Sequence, residues 1–143
     1  MGPSWNGVDA DCGGITLRDN SAGVLLYNNV LVNCGYNSKL EKAHDAWYSS
    51  AGLNLQSYTG KLDLHNNIFF QNIPDGSKHY PYTMFDEKSA GLSAGEYNNL
   101  FYGSGSAPQW DTSAINADPQ FVNAAKGNFS LMSSSPALAK GFV

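Results

Sequence analysis

The chain's apolar residues alternate with polar ones over short stretches of four to six residues, and no segment keeps the spacing of three and four that marks a helix over several turns. Gly14-Ile15-Thr16-Leu17 and Gly52-Leu53-Asn54-Leu55 are examples of this period of two. Strands are therefore predicted, each bounded by Gly, Ser or Asn turns. The strands recur as a set. The pair Asn-Asn followed by two apolar residues occurs as Asn28-Asn29-Val30-Leu31, Asn66-Asn67-Ile68-Phe69 and Asn98-Asn99-Leu100-Phe101. Fourteen residues before the second Asn of each copy stands an apolar residue, Ile15, Leu53 and Phe85.

Superposing the first two copies lays Gly14–Leu17 over Gly52–Leu55, and Val24–Tyr27 over Lys61–His65 with one residue of ambiguity at the boundary. Each copy then reads as strand, turn, strand, Asn pair, strand, which is the layout of a solenoid repeat. Copies start 38 and 32 residues apart, yet the matching core spans about 22 residues, so the excess must leave as loops. Those loops are 35–50 and 73–82. An Asn at a sharp bend tolerates left-handed backbone, and its amide can bond the copies above and below. Val30, Ile68 and Leu100 are then expected to point inward as a continuous core. Tyr27, His65 and Tyr97 share one position of the second strand, so His65 is expected in an aromatic stack. In a coil of 22 residues Cys12 would sit above Cys34, as paired thiols or as a disulfide.

These Asn-Asn-apolar steps resemble those of right-handed parallel β-helix proteins of the pectate-lyase-like superfamily. The tail is similar too, with Asp118-Pro119-Gln120-Phe121 followed by Ser135-Pro136-Ala137-Leu138-Ala139-Lys140-Gly141 matching the closing segment of many bacterial members. The resemblance covers roughly residues 12–141. It implies an all-β fold, a right-handed parallel β-helix of about three coils over residues 12–106, ended by a C-terminal cap at 107–143. In that cap Phe121, Phe129, Leu131 and Leu138 would cover the open end of the stack, and Asp118 would form a turn before Pro119. The Asn128-Phe129-Ser130 sequon reads as incidental.

Composition narrows the function. Only 14% of residues are charged and the net charge is −4, which gives no electrostatic reason to expect a nucleic acid or an anionic membrane as partner. No apolar run approaches the roughly 18 residues that span a bilayer. The opening Met1-Gly2-Pro3-Ser4 lacks the pattern of a leader, so a signal peptide or further coils are expected upstream, and self-association is the alternative. The resemblance implies an extracellular or cell-surface protein.

In the resembling lyases an Arg or Lys on the outer face abstracts a proton beside a uronate carboxylate. Outward positions of the first strand are Thr16, Asn54 and Asp86, then Arg18, Gln56 and Lys88. Arg18 and Lys88 are the candidate catalytic residues, with Asp86 beside them, since two basic groups serve β-elimination. Arg18 is the chain's one arginine, which departs from the denser basic clusters of those lyases. The inserted loops supply a second candidate: His79 for proton transfer, and His44, Trp47, Tyr48, Tyr80 and Tyr82 as a surface for sugar rings. No cofactor is expected; calcium would have only Asp9 and Asp11 near the start. Three functions fit: a lyase on acidic polysaccharide, a carbohydrate-binding or adhesion module without catalysis, and a structural β-helix.

Overall fold

The computed structural model describes residues 13–18, 23–32, 34, 51–56, 60–70, 93–103 and 107–143. Loops 35–50 and 73–82, Phe85 and Cys12 lie outside the described residues. What is described is all-β. Three strands make up the first repeat, β1 (Gly13–Arg18), β2 (Val24–Tyr27) and β3 (Val30–Val32), and the second repeats them as β4 (Ala51–Gln56), β5 (Leu62–His65) and β6 (Ile68–Phe70). Then come β7 (Leu100–Tyr102), β8 (Ile115–Asn116), β9 (Phe121–Asn123) and β10 (Asn128–Leu131), with short 3-10 turns at Ala124–Lys126 and Leu138–Lys140.

Each strand pairs in parallel with its counterpart in the next repeat. β1 pairs with β4 through Ile15↔Leu53, β2 with β5 through Val24↔Leu62 and Tyr27↔His65, and β3 with β6 and β7 through Val30↔Ile68↔Leu100. The boundary left open by the sequence is thereby fixed, with Lys61 outside β5. β8 extends the last row as a fourth strand, and among the described residues only β9 and β10 pair antiparallel.

The Asn pairs divide two tasks. The first Asn of each, Asn28, Asn66 and Asn98, holds φ of 53°, 55° and 56°, the left-handed region that Asn accepts more readily than other residues with a Cβ. The second turns inward and builds a ladder. Asn67 Oδ1 accepts the Asn29 backbone N–H at 3.1 Å and its Nδ2–H at 3.0 Å, and Asn99 Oδ1 accepts the same two groups of Asn67 at 2.9 and 3.0 Å. Asp111 ends the run: its Oδ2 accepts from Asn99 N and Nδ2 at 2.9 Å each, and its Oδ1 from Tyr97 N and Ser113 N. Asn67, Asn99 and Asp111 are buried, so these bonds satisfy groups that would otherwise be stranded away from water.

Because the second Asn points inward, alternation sends the next residue outward and the one after it inward. Leu31, Phe69 and Phe101 therefore enter the main core with Leu53, Leu62, Leu64 and Trp110. This corrects the expectation for Val30, Ile68 and Leu100, which face the other side of the sheet. There Ile68 and Leu100 form a second core with Phe70, Ala137 and Phe142, flanked by Phe121 and Leu131.

The C-terminal stretch accordingly does two jobs. Residues 107–116 follow the third repeat as a further layer, through the Gly95↔Asp111 bridge, the β7–β8 pairing and Trp110 in the main core. Residues 121–142 fold back along the outer face of the third-strand sheet. Phe121 and Leu131 thus pack against Ile68, Phe70 and Leu100 of the third-strand sheet, and Leu138 stays 41% exposed. Asp118 forms the expected turn, its Oδ1 accepting Gln120 N–H at 2.8 Å. No helix among the described residues is long and apolar enough to cross a membrane.

Candidate functional site

On β2 and β5 the alternation separates core from surface. Leu62 and Leu64 are buried, whereas Leu25, Asp63, Tyr27 and His65 project to the other side. The register sets Leu25 beside Asp63 and Tyr27 beside His65, so Asp63 lies diagonal to Tyr27 and two residues before His65 on one face. Tyr27 Oη donates to Asp63 Oδ2 at 2.9 Å, and His65 Nε2 lies 2.6 Å from Asp63 Oδ1. One carboxylate thus holds both a phenol and an imidazole.

The rings form the row that the sequence predicts. Tyr27 and His65 stack with centroids 5.3 Å apart and planes 8° from parallel, and Tyr97 continues at 5.2 Å with a tilt of 50°. Tyr97 in turn meets the buried Trp110 edge to face, and its Oη donates to Ser93 O at 2.8 Å. Since Tyr27 and His65 stack face on face, they turn edges rather than flat faces to solvent. What the row offers a ligand is hydrogen bonding and proton transfer.

Asp63 also changes Tyr27. The hydrogen bond it accepts holds the phenol proton, and slight desolvation and the repulsion between phenolate and carboxylate act in the same direction, so the Tyr27 pKa is raised from 10.0. His65 turns Nε2 to Asp63, which leaves Nδ1 as the ring nitrogen available to another partner. The side chains of His65 and Asp63 are 32% and 27% exposed, so both are accessible from solvent.

Of the residues proposed from sequence, His44, Trp47, Tyr48, His79, Tyr80, Tyr82, Asp86 and Lys88 lie outside the described residues, as do Asp9 and Asp11. Arg18 closes β1, with Gln56 as its Cα partner in β4. Among the described residues no three His, Cys, Asp or Glu side chains cluster as metal ligands. Cys34 is half-buried, with Sγ 3.4 Å from Val32 O, and burial pushes its thiol pKa up. Sequence reasoning missed the joining role of Asp63; the signal was its place two residues before His65 on an alternating strand.

Comparison of the chain with protein-family models, curated proteins and solved structures finds no match.

Proposed function

We propose that the chain is a right-handed parallel β-helix that binds polysaccharide along the outer face of β2 and β5. The β-helix reading is supported by three rows of parallel pairs that keep one sequence order, β1–β2–β3 over β4–β5–β6. The binding reading is carried by the Tyr27–Asp63–His65 cluster, a half-exposed set of donors and acceptors on a regular sheet. Such a face suits an extended, hydroxyl-rich polymer.

A second reading, β-elimination on a uronate, is favoured by the Asp63–His65 pair, the base-and-orienter arrangement of general base catalysis. Charge decides between them. A uronate carboxylate brought to 4 Å from Asp63 meets a repulsion of about 4 kcal/mol at an effective dielectric of 20, which a cation must offset. Arg18 is the candidate for that task. Without such a cation the face favours neutral glycans, and binding without turnover is the stronger reading.

Titration with a panel of neutral and uronate polysaccharides tests both readings. Saturable binding that weakens about tenfold in His65→Ala, as expected for loss of one ligand hydrogen bond of about 1.4 kcal/mol, supports the site. Ultraviolet absorbance from an unsaturated product, lost in both Arg18→Ala and His65→Ala, would move the assignment to the lyase. Absence of binding to every polymer overturns the polysaccharide reading.

A further inference from the structure

The ring row on the outer face has a regular spacing. Tyr27, His65 and Tyr97 each stand just before an Asn pair in successive repeats, and the parallel register sets them one above another with centroids 5.3 and 5.2 Å apart. That is slightly wider than the usual strand spacing of about 4.8 Å. The last ring is held in place: Tyr97 meets Trp110 edge to face and lies over Gly95, where a Cβ would come within 3.3 Å of the ring.

The polar tips of the row are as regular as its spacing. Each phenol O–H already donates within the protein, Tyr27 Oη to Asp63 Oδ2 and Tyr97 Oη to Ser93 O, so each oxygen has only lone pairs left for a ligand. Between them His65 turns Nε2 to Asp63 and leaves Nδ1 open. Two acceptors flanking a ring nitrogen suit a ligand that donates at regular intervals. A sugar hydroxyl donates, whereas a carboxylate or ether oxygen has no hydrogen to offer.

Spacing selects further among hydroxyl-bearing chains. A hexose chain joined through equatorial 1,4-bonds is nearly straight and advances per sugar by close to the separation of these rings. Alternate sugars are turned over, and either edge still carries a free hydroxyl. An axial bond at C1 curls the chain, so that its later sugars leave the row.

We infer that the Tyr27–His65–Tyr97 row is a ruler for a neutral β-1,4-linked hexose chain, laid across the strands with one sugar at each repeat and one hydroxyl of each sugar on the tip beneath it. This rests on the glycan-binding face proposed above and adds the linkage and the charge that the face selects.

The probes are β-1,4-linked glucose and mannose oligomers of two and three sugars, titrated into the full chain and followed by protein nuclear magnetic resonance, which resolves weak affinities. The better of the two β-linked trimers should bind at least tenfold more tightly than its dimer, the gain expected for one further hydrogen bond. Trimers of α-1,4-linked glucose and of α-1,4-linked galacturonate should each bind at least tenfold more weakly than that β-linked trimer. Tyr97→Phe keeps the ring between His65 and Trp110 and removes only the third tip, so it should abolish the gain from two sugars to three. Equal or tighter binding by either α-linked trimer, no gain with the third sugar, or a gain that survives Tyr97→Phe overturns the ruler. Polymers that bind while every oligomer fails overturn the ruler and leave the glycan-binding face standing. If neither polymers nor oligomers bind, both fall.

Discussion

Asn66 and Asn67 are neighbours with the same side chain, and the fold asks different things of them. Asn66 supplies a left-handed bend, while Asn67, 0% exposed, supplies a ladder rung. Substitutions should therefore separate the two roles. Asn66→Gly keeps the bend and is expected to change stability by less than about 0.5 kcal/mol, whereas Asn66→Val forces a β-branched residue to φ near 55° and should cost about 2 kcal/mol or more. Asn99→Ala leaves the buried Asn67 N–H without its acceptor and should cost roughly 2–4 kcal/mol. Urea unfolding monitored by circular dichroism measures all three. The sequence shows both properties of Asn but not their division, because each motif presents two identical side chains at the bend. Tyr27 yields a titration at the same scale. Its pKa is raised, so its contribution to stability is present below the unfolded value of 10.0 and is lost as pH rises through the folded value. Asp63→Asn removes the carboxylate charge and should move the phenol's ultraviolet titration down toward 10.0; an unmoved midpoint would deny the role given to Asp63.

At the scale of the strand, one residue of offset decides which side chains are core. The register between repeats is legible in the sequence, because the 38-residue separation of the Asn pairs carries through Ile15↔Leu53, Tyr27↔His65 and Val30↔Ile68 alike. The facing of the third strand is not. Both sides of that strand are apolar, Val30 and Val32 on one and Leu31 on the other, so hydrophobicity alone cannot say which enters the core. What settles it is the inward ladder Asn just before. Paired substitutions expose the difference: Leu31→Ala, at a site 6% exposed, should cost roughly 2–5 kcal/mol, while Val30→Thr, at a site 41% exposed, should cost under about 1 kcal/mol. Comparable losses at the two positions in chemical denaturation would reverse the assigned facing. The candidate site is legible to the same degree. The Tyr27–His65–Tyr97 row follows from the repeat, but Asp63 joins it only through a diagonal contact that needs the register to be known.

Across the whole molecule, the third-strand sheet is shared by two cores, one holding Phe69 and Phe101 and the other Ile68, Leu100 and Phe142. The tail motif is visible in the sequence, yet the face it covers is not, since an apolar tail suits the end of a stack as well as its side. The shared sheet has a thermodynamic consequence. If the C-terminal segment were an appendage, Phe142→Ala would loosen it alone, and the rest would unfold later in a separate step. Instead Ile68 and Leu100 need that segment to remain dry, and the same strands carry the Asn ladder into the main core. Phe142→Ala should therefore destabilise the entire fold by about 3 kcal/mol. That is the lower end for losing a buried Phe, because the adjoining cavity already leaves one flank of the ring poorly packed. The signal of Trp110, in the main core, allows the test. Near-ultraviolet circular dichroism and intrinsic fluorescence of Phe142→Ala, compared with far-ultraviolet circular dichroism along one denaturation series, should show coincident midpoints, all displaced equally from the parent protein. Midpoints that separate would mean that the C-terminal segment folds independently of the repeats it covers.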